Sequence, residues 1–206
     1  MRFHLATGSR DFLFLLASAR KGGSTEALAR QAAADLPPED TQQWLHLADL
    51  PLPPCNDTRN DRDHGCRALD GHENTLLQAT LRASDLVVAS PLYWYSLSAS
   101  AKLYIDYWSQ WLRLPDIGFA ECMRGKTLWT VTALSGTDPA AAQPMVDMLR
   151  LTADYLGMYW GGALLATGCH SARAPFGRAG AREFFGPPPG SGGTATARRQ
   201  AWDHCG

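Results

Sequence analysis

"DFLFLLA" (11–17) runs without a break into "SARKGGST" (18–25) and then "EALARQAAADL" (26–36). The apolar run does not alternate with polar residues, so it reads as a strand over 12–17 buried on both faces, as in a parallel sheet covered by helices. Leu28 and the alanines around it give a helix from about Ser24 to Asp35, and Pro37-Pro38 stops it. A strand, a short glycine-containing turn and a helix, in that order, open an α/β fold.

The same unit recurs along the chain. "QQWLHLADL" (42–50) reads as a second strand, followed by a long irregular loop, "LPLPPCNDTRNDRDHG". "HENTLLQATLRAS" gives a short helix that feeds the continuous buried strand "DLVVAS" (85–90). "LSASAKLYIDYWSQWLRL" then places Leu97, Ala101, Ile105, Trp108 and Leu112 at helical spacing. "KTLWTVTAL" (126–134) is a fourth strand, 140–156 a helix, "GGALLATG" (161–168) a fifth strand and "RAGAREFF" (178–185) a last helix. Five β-α units predict a parallel sheet with helices on both faces, because parallel neighbours need right-handed crossovers. From Gly186, "GPPPGSGGTATARRQAWDHCG" is too poor in apolar side chains to repay ordering and reads as a disordered tail. The expected organisation is an extension over 1–10, one domain over 11–185 and the tail over 186–206.

With 206 residues, 45% of them apolar, the chain can bury a full core. Its net charge of −1 removes the electrostatic case for nucleic acid or an anionic membrane surface. Arg2, Arg10, "FLFLLA" and Ala17-Ser18-Ala19 imitate a signal peptide, but the apolar stretch is shorter than the roughly 7–15 residues an exported h-region needs. Nothing approaches the uncharged stretch of about 18 residues that spans a membrane. Cys55, Cys66, Cys122, Cys169 and Cys205 are scattered, with no C-x-x-C, and reduced thiols in a cytoplasm are expected.

Ligands of open parallel sheets sit beyond the carboxyl ends of the strands, where strand order reverses. Residues 18–25 lie at such a place and match neither G-x-G-x-x-G nor G-x-x-x-x-G-K-[ST]. Gly22 and Gly23 let backbone N–H groups converge, Ser18, Ser24 and Thr25 add hydroxyls, and a helix N-terminus points at the same spot. These features suit one phosphate, with Arg20 at the rim and Lys21 supplying only a diffuse field. The same residues also suit a well-capped helix start, with Gly23 or Ser24 as N-cap and Glu26 in the first turn. After the third strand, "PLYWYSLSAS" (91–100) sets Pro91, Tyr93, Trp94 and Tyr95 beside the first loop, where aromatic faces and backbone groups suit a flat heteroaromatic ring. Three adjacent aromatics on a loop cannot all point into a core. Tyr104, Tyr107, Trp108 and Trp111 exceed what one side of a surface helix needs, so part is expected in the core and the rest at an oligomer interface.

"FLLASARKGGSTEALA", "ASDLVVASPLYWYSLSASAKLYIDYW" and "MRGKTLWTVTALSG" together resemble the flavodoxin-like NAD(P)H-dependent FMN reductase and quinone reductase family over about residues 11–168. The resemblance implies a flavodoxin-like, doubly wound sheet of order 2-1-3-4-5 with FMN at the switch between the first and third strands. It implies that Ser18, Arg20, Gly23, Ser24 and Thr25 hold the FMN phosphate. Pro91, Leu92, Tyr93, Trp94 and Tyr95 would line the isoalloxazine, and Ala133, Leu134, Ser135 and Gly136 would close its far side. It also implies a homodimer or homotetramer in which a partner subunit completes the site. The stretch "CNDTRNDRDHGC" is longer and more charged than the resemblance leads one to expect, and everything after Phe185 matches nothing in the family.

Other constellations fail on spacing. From Asp61 a calcium loop would need a ligand at Gly65 and a bidentate Glu at His72. Cys55, His64, Cys66 and His72 fit no zinc or iron–sulfur pattern, and no G-x-S-x-G supports hydrolysis. The sequence therefore reads as an FMN-dependent oxidoreductase taking hydride from NADPH or NADH and passing electrons to a quinone-like or other small acceptor, with no obligate acid or base side chain. Two rivals are a flavodoxin-type one-electron carrier and a non-catalytic flavodoxin-fold interaction module.

Overall fold

The computed structural model describes residues 9–55, 69, 71–114, 117–169 and 184–186. Most of the expected extension, the charged loop with His64 and Cys66, all but Phe184 and Phe185 of the expected last helix, and the tail after Gly186 lie outside the described residues. The strands are β1 (Asp11–Leu16), β2 (Thr41–His46), β3 (Asp85–Ala89), β4 (Thr127–Ala133) and β5 (Tyr159–Ala166). The helices are α1 (Ser24–Ala33), α2 (Gly71–Arg82), α3 (Ala99–Trp111), α4 (Phe119–Met123) and α5 (Gln143–Tyr155), the last entered through a 3-10 turn, Pro139–Ala142.

All the pairings are parallel and the strands lie in the order β2-β1-β3-β4-β5. This is the flavodoxin-like sheet expected from the sequence. The register aligns Leu16 with Ala89 and Ala89 with Val131, so the carboxyl ends of β1, β3 and β4 finish side by side.

The unbroken apolar run of β1 is explained by burial on both faces. Phe12, Phe14 and Leu16 pack with Leu28, Ala29, Ala32 and Ala33 of α1, while Leu13, Leu15 and Ala17 face the layer formed by α2, α3 and α5. No residue from Phe12 to Ala17 is more than 2% exposed. At about 1.5–3 kcal/mol for each large apolar side chain buried, this strand is the main hydrophobic anchor of both layers.

Element ends shift by a few residues from the sequence reading. β2 stops at His46 because 47–50 turn away, and β5 begins at Tyr159, two residues before the glycine pair. Helix α4 has only five residues, too short to show a period. One expectation needs correction: Tyr104, Tyr107, Trp108 and Trp111 are all core, none above 3% exposed. They pack edge to face with one another, Trp108 and Trp111 also meet Phe119 of α4, and Trp111 Nε1 donates to Glu73 Oε1 at 3.0 Å. The missed helix explains the surplus aromatics.

At the amino ends of the strands, Asp85 is 2% exposed and fully engaged. It accepts from Arg10 through both oxygens, from Trp129 Nε1 at 2.8 Å and from Ser84 Oγ at 2.8 Å. Arg10 Nη1 also donates to the carbonyls of Phe185 (3.0 Å) and Gly186 (3.1 Å). Phe184 and Phe185 meet the Trp129 ring edge-on. Opposite, Gly161 leaves room for that ring: a Cβ there would lie 2.3 Å from Trp129 Cδ2.

Candidate functional site

The first loop leaves β1 at Ala17 and enters α1 at Gly23, the N-cap, which offers no side-chain acceptor. The capped-helix reading allowed Gly23 or Ser24 as N-cap, and Gly23 takes that place. Of the backbone donors at this end, Gly22 N–H goes to Glu26 Oε2 (2.8 Å) and Ala27 N–H to Gly23 O (3.0 Å). Among the described residues no side chain caps the N–H groups of the first turn, which begins at Ser24 and Thr25. Arg20 N–H donates to Ser18 Oγ at 3.3 Å, which leaves the Ser18 hydroxyl proton free to donate. The guanidinium of Arg20 is exposed and has no ion pair among the described residues. Lys21 is tied away from the loop by Asp49 at 2.7 Å, and this bond holds the Asp49 carboxyl below its usual range.

Gly22 has φ +67°, a conformation for which glycine is preferred. Gly23 has φ −77°, and a Cβ there would meet only Arg20 O at 3.5 Å and Ser18 Oγ at 3.6 Å. The protein itself would tolerate that methyl group. It would project between Ser18 and Arg20. Unclaimed N–H groups, the hydroxyls of Ser18, Ser24 and Thr25, and a guanidinium on one short stretch make up the donor set of a phosphate site.

The second loop is a two-residue turn. Tyr93 and Ser96 exchange backbone hydrogen bonds at 3.0 and 2.9 Å, while Trp94 and Tyr95 both have positive φ, +50° and +64°. Such a turn normally takes Asn-Gly, and two aromatic residues hold it at a cost in strain. Trp94 is 94% exposed, Tyr95 61% and Tyr93 50%, so the rings project from the carboxyl edge. The base of the turn is fixed: Ser98 N–H donates to Ser90 Oγ at 2.9 Å, and Ser100 Oγ donates to Ala17 O at 3.3 Å. The second hydrogen bond joins the start of α3 to the start of the first loop.

The third loop prolongs the β4–β5 pairing. Leu134 N–H donates to Ala166 O, Cys169 N–H to Leu134 O and Gly168 N–H to Gly136 O, at 2.8–3.0 Å. Ala133 and Leu134 are buried, and Ser135 and Gly136 are exposed. The sequence reading did not recognise that 166–169 back this loop; burial pushes the Cys169 thiol up, so it stays protonated. The expected site positions thus lie on the three loops after β1, β3 and β4 or at the element ends that border them, Ser24 and Thr25 of α1 and Ala133 of β4, with Pro91 and Leu92 half-buried.

Residues 11–168 match the family model described as NADPH-dependent FMN reductase. The chain belongs to that family. A Bacillus subtilis (strain 168) relative, YwqN, named for an NAD(P)H-dependent FMN-containing oxidoreductase, is 29% identical over 151 residues, which cover 72% of this chain and 80% of YwqN. Among solved structures, the Trp repressor binding protein of Bacillus subtilis superposes with a TM-score of 0.64 at 21% identity, over 84% of this chain and 96% of that one. An FMN-dependent NADH-azoreductase from Bacillus anthracis, solved with FMN, gives 0.54 at 12% identity over 86% and 93% of the two chains. These likenesses carry the fold. As a member of the reductase family the chain is an NAD(P)H-dependent FMN oxidoreductase. Among the described residues no helix is long and apolar enough to cross a membrane, and no three His, Cys, Asp or Glu side chains group as metal ligands.

Proposed function

We propose that the reductase binds FMN across the three carboxyl-edge loops, within a domain spanning 11–185, and reduces a flat quinone-like acceptor on the aromatic side. The observation that carries this reading is the uncapped first turn of α1 beside a strained, solvent-facing aromatic turn. Ser18, Arg20, Gly23, Ser24 and Thr25 would hold the phosphate. Pro91 to Tyr95 would hold the ring through backbone groups, with Ala133, Leu134, Ser135 and Gly136 at its far side. Bound FMN supplies hydride acceptance and donation. The chain contributes position and polarity: backbone N–H groups steady charge at the ring edge, and the Trp94 and Tyr95 rings stack on the acceptor and keep water from it.

An azo compound is the second acceptor class, favoured by the azoreductase among the structural neighbours. The exposed Leu112, Leu151 and Tyr155 border a groove of about 610 Å³ between α3 and α5, which supports a homodimer or homotetramer. The free Cys55, Cys122 and Cys169 suit a reducing cytoplasm.

The test is the visible spectrum of purified protein incubated with FMN and desalted, followed by anaerobic NADPH. Retained flavin that bleaches, then recolours on adding a quinone faster than on adding an azo dye, is the expected result. Retained flavin that does not bleach would favour the one-electron carrier, and no retained flavin the interaction module.

A further inference from the structure

Glu26 poses an electrostatic puzzle. It is the third residue of α1, 8% exposed, and its carboxylate lies at the helix end where the phosphate cradle opens. A second anion there would repel a phosphate. Both carboxylate oxygens, however, are already committed. Oε2 accepts Gly22 N–H at 2.8 Å, and Oε1 accepts Arg30 Nε at 2.9 Å and Nη2 at 2.8 Å. His46 Nε2, at the end of β2, stands 3.7 Å from Oε1, and its Nδ1 is buried with no partner among the described residues.

The consequence is geometric. The left-handed Gly22 must place its N–H somewhere, and Glu26 takes it, which pins the turn between Lys21 and Gly23. Gly22 N–H is thereby withdrawn from any ligand, while the N–H groups of Ser24 and Thr25 take no side-chain acceptor among the described residues. In a capping box the N-cap hydroxyl would claim one of those donors. Here glycine at the N-cap brings no hydroxyl, and the acid at the third helical position reaches one residue beyond the N-cap, to Gly22.

We propose that Glu26 is a positioning residue for the FMN phosphate: it locks the 20–23 turn through Gly22, and Arg30 balances its charge, so that it preorganises the cradle without touching the ligand. This rests on the phosphate-cradle reading given under Proposed function. Preorganised donors spare the ligand the ordering cost of the loop, so losing the lock weakens only ligands that use the cradle.

The experiment measures dissociation constants of FMN and of riboflavin, which lacks the phosphate, by flavin fluorescence on flavin-stripped full-length protein. Wild type, Glu26→Gln, Glu26→Asp and Glu26→Ala are compared at matched folded fraction. Wild type is expected to prefer FMN by about a hundredfold, as charge-assisted phosphate bonds allow. Glu26→Ala lowers that preference about tenfold, and Glu26→Asp, a methylene too short to reach Gly22 but equal in charge, lowers it several-fold. Glu26→Gln, which keeps an acceptor for Gly22, stays within about threefold of wild type. Riboflavin affinity stays within about twofold throughout.

A wild type that binds both flavins equally overturns the cradle reading itself. A wild type that prefers FMN, with the preference unchanged in Glu26→Asp, overturns the lock alone and leaves Glu26 a helix-end charge, for which aspartate serves as well. Tighter FMN binding in both Gln and Ala variants also overturns it, since Glu26 would then act as a simple repellent.

Discussion

At the amino ends of β1, β3 and β4 the buried Asp85 is matched by Arg10, Ser84 and Trp129, and the aromatic rings around it are packed on every side. At the carboxyl ends of the same strands the polar groups are left open. Gly23 caps α1 with no side-chain acceptor, Arg20 has no counter-ion among the described residues, and Trp94 and Tyr95 hold positive φ in solvent. One end of the sheet spends its polar groups on itself, and on the reading proposed above the other keeps them for a ligand. On that reading stability and binding are separated by the five to seven residues of each strand, as expected where sites sit on loops over a rigid sheet.

The sharpest attempt to break that separation is Asp85→Ala. It strands the Arg10 guanidinium in a mostly buried position and should cost about 3–5 kcal/mol in urea unfolding, with FMN affinity of the folded protein unchanged. A parallel loss of FMN affinity would show that the two ends are coupled.

The reverse test acts on the aromatic turn. Trp94→Asn combined with Tyr95→Gly supplies the residues such a turn prefers and should raise stability by about 2 kcal/mol while lowering the rate with quinone acceptors. A fall in stability would mean that the exposed rings are packed against something, most simply a second copy.

Gly23→Ala sharpens the contrast at a single atom. The added methyl meets only ordinary contacts in the protein, so stability should hold, while FMN weakens about tenfold, some 1.4 kcal/mol, in a titration. Equal FMN binding would remove the phosphate from this loop.

The smallest effect is in acid. Burial alone would raise the Glu26 carboxyl, but the bonds from Gly22 and Arg30, with the charges of His46 and Arg30, outweigh it, so the folded value falls below the ordinary 4.5. A lowered folded value gives stability that is complete above 4.5 and is lost as pH falls through the folded value. Stability to urea should therefore fall as the pH drops below 4.5, and should fall less in Glu26→Gln. Identical acid limbs in the two proteins would show that Glu26 gains nothing from its partners.

Much of this was legible in the chain because it followed from periodicity and turn chemistry. The unbroken "DFLFLLA" could only be a doubly covered strand, and the glycines after it marked a carboxyl-edge turn. What escaped depended on long-range geometry. A glutamate in a first turn looks alike whether it faces solvent or bends back to a glycine N–H, so Glu26 read as ordinary capping. His46 carries no local signal either, because only the β1–β2 register brings it beside α1. The Tyr104–Trp111 stripe was misjudged because Phe119, which helps bury it, sits in a helix too short for a period to declare.

The docking of Phe184 and Phe185 on Trp129 bears on where the chain can be cut. The family match ends at Gly168, yet a protein shortened to that point would lose the two carbonyls that Arg10 holds and bare the faces of Phe12, Phe14 and Trp129. Aromatic side chains of this size cover about 150–250 Å² each, enough to make such a fragment self-adhesive at working concentrations. Expression work on this reductase should keep the chain at least through Gly186, eighteen residues beyond the boundary that homology alone would draw.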